Sequence, residues 1–255
     1  MKYEIAFLGA GKMAEGILSA IKAKKKVIMA ERSPERAEYI RTKYGVKVVE
    51  SSAEAASSAS IVFIAVRPQD VESLAKEVKP SIARGQTIVS IVAGKTIKFL
   101  KKAFGSRARI IRVMPNLALR VNAGMCALTA HDERVEAILG AAGEIVVLPE
   151  KHFDAVTALS GSGPAYFAYM QAMMEDAGIK LGLPRKTASL LAAQTMFGTA
   201  KFLKESSMDL REFIAGVCTK GGTTAAGMKE LDVPVFGETV LNTLSAATQR
   251  SRELN

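Results

Sequence analysis

Apolar residues fall into two regimes along this chain. Over residues 1–150, short continuous apolar runs alternate with amphipathic stretches: Glu4–Leu8 then 12–23, Val27–Ala30 then Pro34–Tyr44, Val46–Val49 then Ala53–Ser58, Ile61–Val66 then 69–78, and Thr87–Val92 then 97–103. The runs read as strands and the amphipathic stretches as helices. Little polar alternation interrupts the strands, so both faces are buried, as in a parallel sheet covered by helices. Ile110–Met114, Met125–Thr129 and Ile145–Leu148 read as further strands, with a helix over Glu133–Ala142. Beyond Lys151 the period changes: Phe167, Met170, Met174 and Leu181 share one helical face, and Leu190, Ala193, Met196 and Phe197 another. Pro164 suits the first turn of the long helix, and Gly182 and Pro184 separate it from the next. The expected division is an α/β domain over 1–150 and an all-α domain over 151–255, with the methionines as core filler.

Composition narrows the function classes. A chain of 255 residues can form two compact domains, each with its own core. It has no uncharged apolar run of about 18 residues, and its start lacks the basic-then-apolar order of a signal peptide, so a cytoplasmic protein without a membrane segment is expected. The net charge of +10 raises the question of nucleic acid. Lys22, Lys24, Lys25 and Lys26 cluster without an aromatic platform, however, and read as a solvated loop, so nucleic acid is not expected as a partner. A basic surface equally suits a polyanionic dinucleotide or an acidic small substrate. Cys126 and Cys218 stand far apart and read as packing residues, and His131 and His152 as surface or helix-end residues. No disulfide framework, metal site or histidine-based triad is expected.

Chemistry enters at the first strand end. Gly9-Ala10-Gly11-Lys12-Met13-Ala14 follows the first strand and opens the first helix, giving G-x-G-x-x-A, the dinucleotide fingerprint of a Rossmann domain with a doubly wound, mostly parallel sheet. Gly9 and Gly11 permit a tight turn and close approach of a pyrophosphate, and the helix start at Lys12 and Met13 supplies N–H groups. The second strand ends at Ala30-Glu31-Arg32-Ser33-Pro34. Glu31, about 20 residues past the glycines, would accept hydrogen bonds from the ribose 2′-OH of NADH. Arg32 and Ser33 would instead hold the 2′-phosphate of NADPH, and both cofactors stay open on these residues. Further strand ends at Ala65-Val66-Arg67-Pro68 and at Ala93-Gly94 should border the cofactor, and Asn116 is a candidate to orient the nicotinamide or the substrate.

A second anion site is written at Val217–Thr224, where Gly221 and Gly222 precede Thr223 and Thr224 and a helical run from Ala225. Amides at a helix start attract a carboxylate or phosphate, and either threonine can cap the helix or turn toward the ligand.

Taken in order along nearly the whole chain, Gly9–Ala14, Ala65–Pro68, Ser90–Gly94, Arg112–Asn116 with Val121–Met125, Ser160–Tyr166 and Val217–Thr224 resemble the pyrroline-5-carboxylate reductases, which complete proline biosynthesis. The resemblance implies a Rossmann domain followed by an all-α dimerisation domain that interlocks with a second subunit, so a homodimer or larger homo-oligomer is expected. It implies NADPH, with NADH as the alternative, as hydride donor to the C=N bond of a cyclic imine. It assigns Gly221, Gly222 and Thr223 to the substrate carboxylate and Thr224 to the ring nitrogen as the catalytic group. The family commonly has Ser-Pro-Gly-Gly where this chain has Thr219-Lys220-Gly221-Gly222, Lys in place of Arg67, and Thr-Pro in place of Leu117-Ala118. In some members a Glu near the positions of Ser206 and Ser207 assists substrate binding. Two other classes share parts of this pattern. A β-hydroxyacid dehydrogenase shares the domain order but needs a lysine on the first long helix, where only the late Lys180 stands. A non-catalytic dinucleotide-binding protein would have no use for the intact Gly-Gly-Thr-Thr turn.

Overall fold

The computed structural model describes residues 2–254. Strands β1 (Tyr3–Leu8), β2 (Val27–Ala30), β3 (Lys47–Val49), β4 (Ala59–Ile64), β5 (Thr87–Ser90), β6 (Arg109–Pro115), β7 (Gly124–Leu128) and β8 (Gly143–Val147) form one sheet in the order β3-β2-β1-β4-β5-β6-β7-β8. From β3 to β6 every pairing is parallel; β7 runs antiparallel to β6 and parallel to β8. Phe7 of β1 lies opposite Phe63 of β4, and their rings stack with centroids 4.8 Å apart.

Successive strand residues feed opposite cores. Ile5 and Phe7 join the buried side chains of helices α1 (Lys12–Ala20) and α2 (Pro34–Tyr44). Ala6 and Leu8 join those of α3 (Ser52–Ser58), α4 (Val71–Val78) and α5 (Ile97–Phe104). Helix α6 (Glu133–Gly140) adds Val135, Ile138 and Leu139 to the first core. Burial on both faces is why the strands carry almost no polar alternation.

Several element boundaries differ from the sequence expectation. Strands β4 and β5 end at Ile64 and Ser90, because Ala65 and Ile91 donate a last bond to Leu8 and Ile64 and the chain then turns. Helix α1 ends at Ala20, and the lysine cluster is no simple solvated loop. The Lys24 ammonium returns to the carbonyl oxygens of Leu18 and Ser19 and lies over the Tyr44 ring. A cation there suits the carbonyl-rich end of a helix, and adds to the bond that the Leu18 oxygen already accepts from the Ile21 amide.

The described chain divides into two compact units: residues up to Ser162 together with those from Ala246 onward, and Gly163–Ser245. After β8 the first unit continues through α7 (Phe153–Val156) and a π-helical turn, Thr157–Gly161. Buried Arg112 of β6 pairs with Glu150 at 3.1 Å and stands over the ring of Phe153. The second unit holds α8 (Gly163–Lys180), α9 (Arg185–Ser206), α10 (Leu210–Val217), α11 (Thr223–Leu231) and the larger part of α12 (Pro234–Glu253). Gly182, at φ +97°, turns α8 back against α9, and the Gly178 backbone lies close to Ala188. Met29 of β2 is core filler, but in the single chain Met170, Met173 and Met174 of α8 are exposed, as are Phe167, Leu190 and Phe197 at 62–67%. Helices laid side by side cover each other only along their seam, so the outer apolar faces stay bare.

One buried ion cluster fastens α1 to α2. Glu15 accepts hydrogen bonds from Arg36 (2.5 Å), Lys43 (3.0 Å), Tyr39 (3.0 Å) and Tyr44 (2.9 Å). Burial alone pushes the Glu15 carboxyl up, but these four donors outweigh it and bring its pKa down to about 2. A carboxyl depressed in the folded state stabilises above its unfolded pKa, and that stability is lost as pH falls toward the folded value. Glu15→Gln should therefore destabilise the protein by about 2–3 kcal/mol at neutral pH. In denaturant titrations the gap from wild type should close between pH ~5 and pH ~2.

Candidate functional site

The sheet places a crevice where its helices part. Helix α1 leaves β1 on one face and α4 follows β4 on the other, so the carboxyl ends of these neighbouring strands diverge. A cavity of about 390 Å³ opens there, lined by Gly9, Ala10, Gly11, Glu31, Arg32, Ala65, Val66 and Arg67 among others.

Gly9 is fixed by geometry. Its φ is +100°, and a Cβ would stand 2.8 Å from the Ala65 carbonyl oxygen, closer than any side chain tolerates. Gly11 caps α1 with no side-chain hydrogen bond, which leaves the first amides of the helix, beginning at Lys12 and Met13, directed at the turn. An anion-receptive helix start beside a backbone without side chains fits a dinucleotide pyrophosphate. These are the residues that would hold it.

At the end of β2 the three ribose candidates already have partners. Glu31 accepts from the amides of Ala10 (3.1 Å) and Ser33 (2.9 Å). Arg32 pairs with Glu77 at 2.6 Å, with its side chain 74% exposed. The Ser33 hydroxyl oxygen caps α2 by accepting from the Arg36 amide at 3.3 Å, so its own proton stays available to a ligand.

Of the remaining sequence candidates, Pro68, Ala93, Gly94 and Asn116 do not line this cavity, whereas Arg67 does. Pro68 begins the turn before α4, and Arg67 pairs with Asp70 at 2.9 Å. Ala93 and Gly94 follow β5, but Gly94 is buried, and a Cβ on it would stand 2.8 Å from the Leu254 carbonyl oxygen. Asn116 ties β6 to β7 by accepting from the Met125 amide at 3.1 Å and reaches Ser160 at 3.4 Å. Conversely, Ser52, Asp70, Ser73 and Leu74 line the crevice and were missed by the sequence reading. Ser52 was findable: it follows the carboxyl end of β3, where ligand contacts are as expected as at β1 or β2.

The Gly-Gly-Thr-Thr turn stands in the helical unit. Gly221 takes φ +77°, Gly222 donates to the Thr219 carbonyl oxygen at 2.9 Å, and α11 begins at Thr223. Neither threonine caps the helix. The cap is Gly222, with no side-chain hydrogen bond, so Thr223 and Thr224 are the first helical residues and their amides open the helix. Lys220 is exposed. Cys126 is buried, and burial pushes its thiol up to about 12, consistent with packing alone. Among the described residues no group of three metal-ligating side chains converges, and no helix is long and apolar enough to cross a membrane.

A doubly wound sheet that parts its helices around a glycine turn marks the dinucleotide-dependent oxidoreductases. Family comparison narrows that class. The model described as pyrroline-5-carboxylate reductase dimerisation matches residues 150–254, and the one described as NADP oxidoreductase, coenzyme F420-dependent, matches residues 4–94. A pyrroline-5-carboxylate reductase from Synechocystis sp. is 36% identical, over 100% of this chain and 99% of its own. The solved pyrroline-5-carboxylate reductase of Coxiella burnetii superposes with a TM-score of 0.94 at 29% identity, covering 100% of this chain and 99% of that one. The Plasmodium falciparum pyrroline carboxylate reductase, solved with NADP bound, gives 0.85 at 28% identity, covering 100% and 99%. The chain belongs to the pyrroline-5-carboxylate reductase family and is an NAD(P)H-dependent oxidoreductase.

Gly9→Ala tests the cradle. The added methyl meets backbone and not a flexible side chain, so it should cost about 1–3 kcal/mol in thermal stability and weaken NADPH binding in calorimetric titration.

Proposed function

We propose that this protein reduces the C=N bond of 1-pyrroline-5-carboxylate to give L-proline, with NADPH preferred over NADH. The observation that carries the reading is the start of α11, behind two glycines and without a side-chain cap, in a chain aligned over its full length with pyrroline-5-carboxylate reductases.

The cofactor, when bound, supplies a hydride for the imine carbon. The residues of this chain have simpler tasks. Amides of Thr223 and Thr224 hold the substrate carboxylate, with Gly221 and Gly222 permitting the turn and the helix dipole adding attraction. The Thr224 hydroxyl hydrogen-bonds the ring nitrogen and fixes which ring atom faces the donor. A protonated imine is already electrophilic and its nitrogen keeps its proton in the product, so orientation suffices without a histidine or lysine acid. NADPH is preferred because the exposed Arg32 and the free proton of Ser33 suit a 2′-phosphate, whose double charge competes well with the single carboxylate of Glu77.

A second copy of the chain covers the exposed faces of α8 and α9, which carry Phe167, Leu190 and Phe197, and the protein works in the cytoplasm as a homodimer or larger homo-oligomer.

Purified protein should oxidise NADPH with 1-pyrroline-5-carboxylate, with a higher kcat/KM than for NADH. Thr224→Ala should lower kcat/KM roughly 5- to 150-fold, the effect of one hydrogen bond to the reacting nitrogen. A protein that binds NADPH normally and never turns over this imine would overturn the assignment. Light scattering should give a mass of at least two chains, and a monomer at working concentration counts against the shared helical face.

A further inference from the structure

Glu31 stands where a carboxylate ordinarily reads the ribose diol of NADH, yet here both of its oxygens face backbone amides. Oε2 accepts from the Ala10 N–H at 3.1 Å and Oε1 from the Ser33 N–H at 2.9 Å. Ala10 is the residue between the two fingerprint glycines. Its other polar group is held as well, because its carbonyl oxygen accepts from Arg36 Nε at 2.7 Å. Arg36 is itself immobilised, with Nη2 on buried Glu15 at 2.5 Å and its backbone amide on the Ser33 hydroxyl oxygen. The β2–α2 turn thus grips the pyrophosphate turn at the N–H and the C=O of one residue, with two opposite charges.

The grip has a physical purpose. A Gly-Ala-Gly segment has no side chain able to fix its own backbone, so a free turn would sample many shapes, and a ligand would have to order it on binding. Charge-assisted bonds from both sides remove that freedom beforehand.

We propose that Glu31 and Arg36 are positioning residues that hold the pyrophosphate turn in its binding shape, and that Glu31 does not discriminate NADPH from NADH. This rests on the crevice being the cofactor site and is independent of which imine is reduced.

Calorimetric titration of NADPH and of NADH into the purified protein separates the two roles of Glu31. A positioning carboxylate predicts that Glu31→Ala raises the Kd of both cofactors by a similar factor, roughly three- to thirtyfold, leaving their ratio within about twofold of wild type. Glu31→Gln, which keeps one acceptor oxygen, should recover part of the loss. Arg36→Lys cannot bond Ala10 and Glu15 together in the same way and should also weaken both cofactors. Arg32→Ala serves as the control that moves the ratio. Steady-state rates should show a raised KM for either cofactor, with kcat and the imine KM unchanged. A ribose-reading Glu31 predicts the opposite pattern, NADH weakened while NADPH is unchanged or tightened, and that result overturns the proposal. So does an unchanged Kd for both cofactors. If Glu31→Ala proves unstable by thermal unfolding, Glu31→Gln carries the same comparison with a smaller expected change. Loss of imine turnover with these Kd shifts intact would defeat the assigned reaction and leave the positioning role standing.

Discussion

Strands β1 and β4 lie side by side while their following helices depart to opposite faces of the sheet, and the crevice at their carboxyl ends depends on that one arrangement. Right-handed crossovers allow each β-α unit only one direction in which to wind, so two halves winding outward from a common centre must part there. Stacked Phe7 and Phe63 hold the two strands together beneath the gap. At its rim the backbones of Gly9 and Ala65 approach so closely that no side chain fits between them. Glycine at position 9 is therefore a requirement of strand packing as well as of ligand approach.

Electrostatics then give the crevice its shape. Glu15 and Glu31 are both acidic residues near the glycine turn, an arrangement that would repel an anion there if they faced it. Neither does so alone: Glu15 is surrounded by Arg36, Lys43 and two tyrosine hydroxyls, and Glu31 by two backbone amides. Their charges act on the protein's own donors, while Arg32 stays exposed at the edge. The helical unit is built differently. The start of α11 presents amides behind a glycine cap with no side-chain hydrogen bond, an arrangement suited to the proposed substrate carboxylate.

Much of this was legible beforehand. The continuous apolar runs of β1, β2, β4 and β5 announced a sheet buried on both faces, and the glycines at 9 and 11 announced the pyrophosphate turn, because both signals are local. The turn at Gly221 and Gly222 was legible for the same reason. Less legible were contacts between segments distant in sequence. Ser52, Asp70 and Ser73 line the crevice through strand order alone, and Asn116 proved to be engaged by β7. The methionines of α8 match a core pattern in sequence and stand exposed in the single chain, since periodicity records that a face is apolar and not what covers it.

The sequence by itself determined the order of elements, the buried faces of the strands and both glycine turns, since each follows from side-chain chemistry within about a dozen residues. Only the tertiary structure decided where Glu31 and Arg36 point. Their partners, Ala10 and Glu15, lie 21 to 26 residues away in sequence and come within bonding distance only once β1 and β2 pair in register. A carboxylate's role is set by the donors the fold brings to it, and those donors are invisible until the strands are side by side.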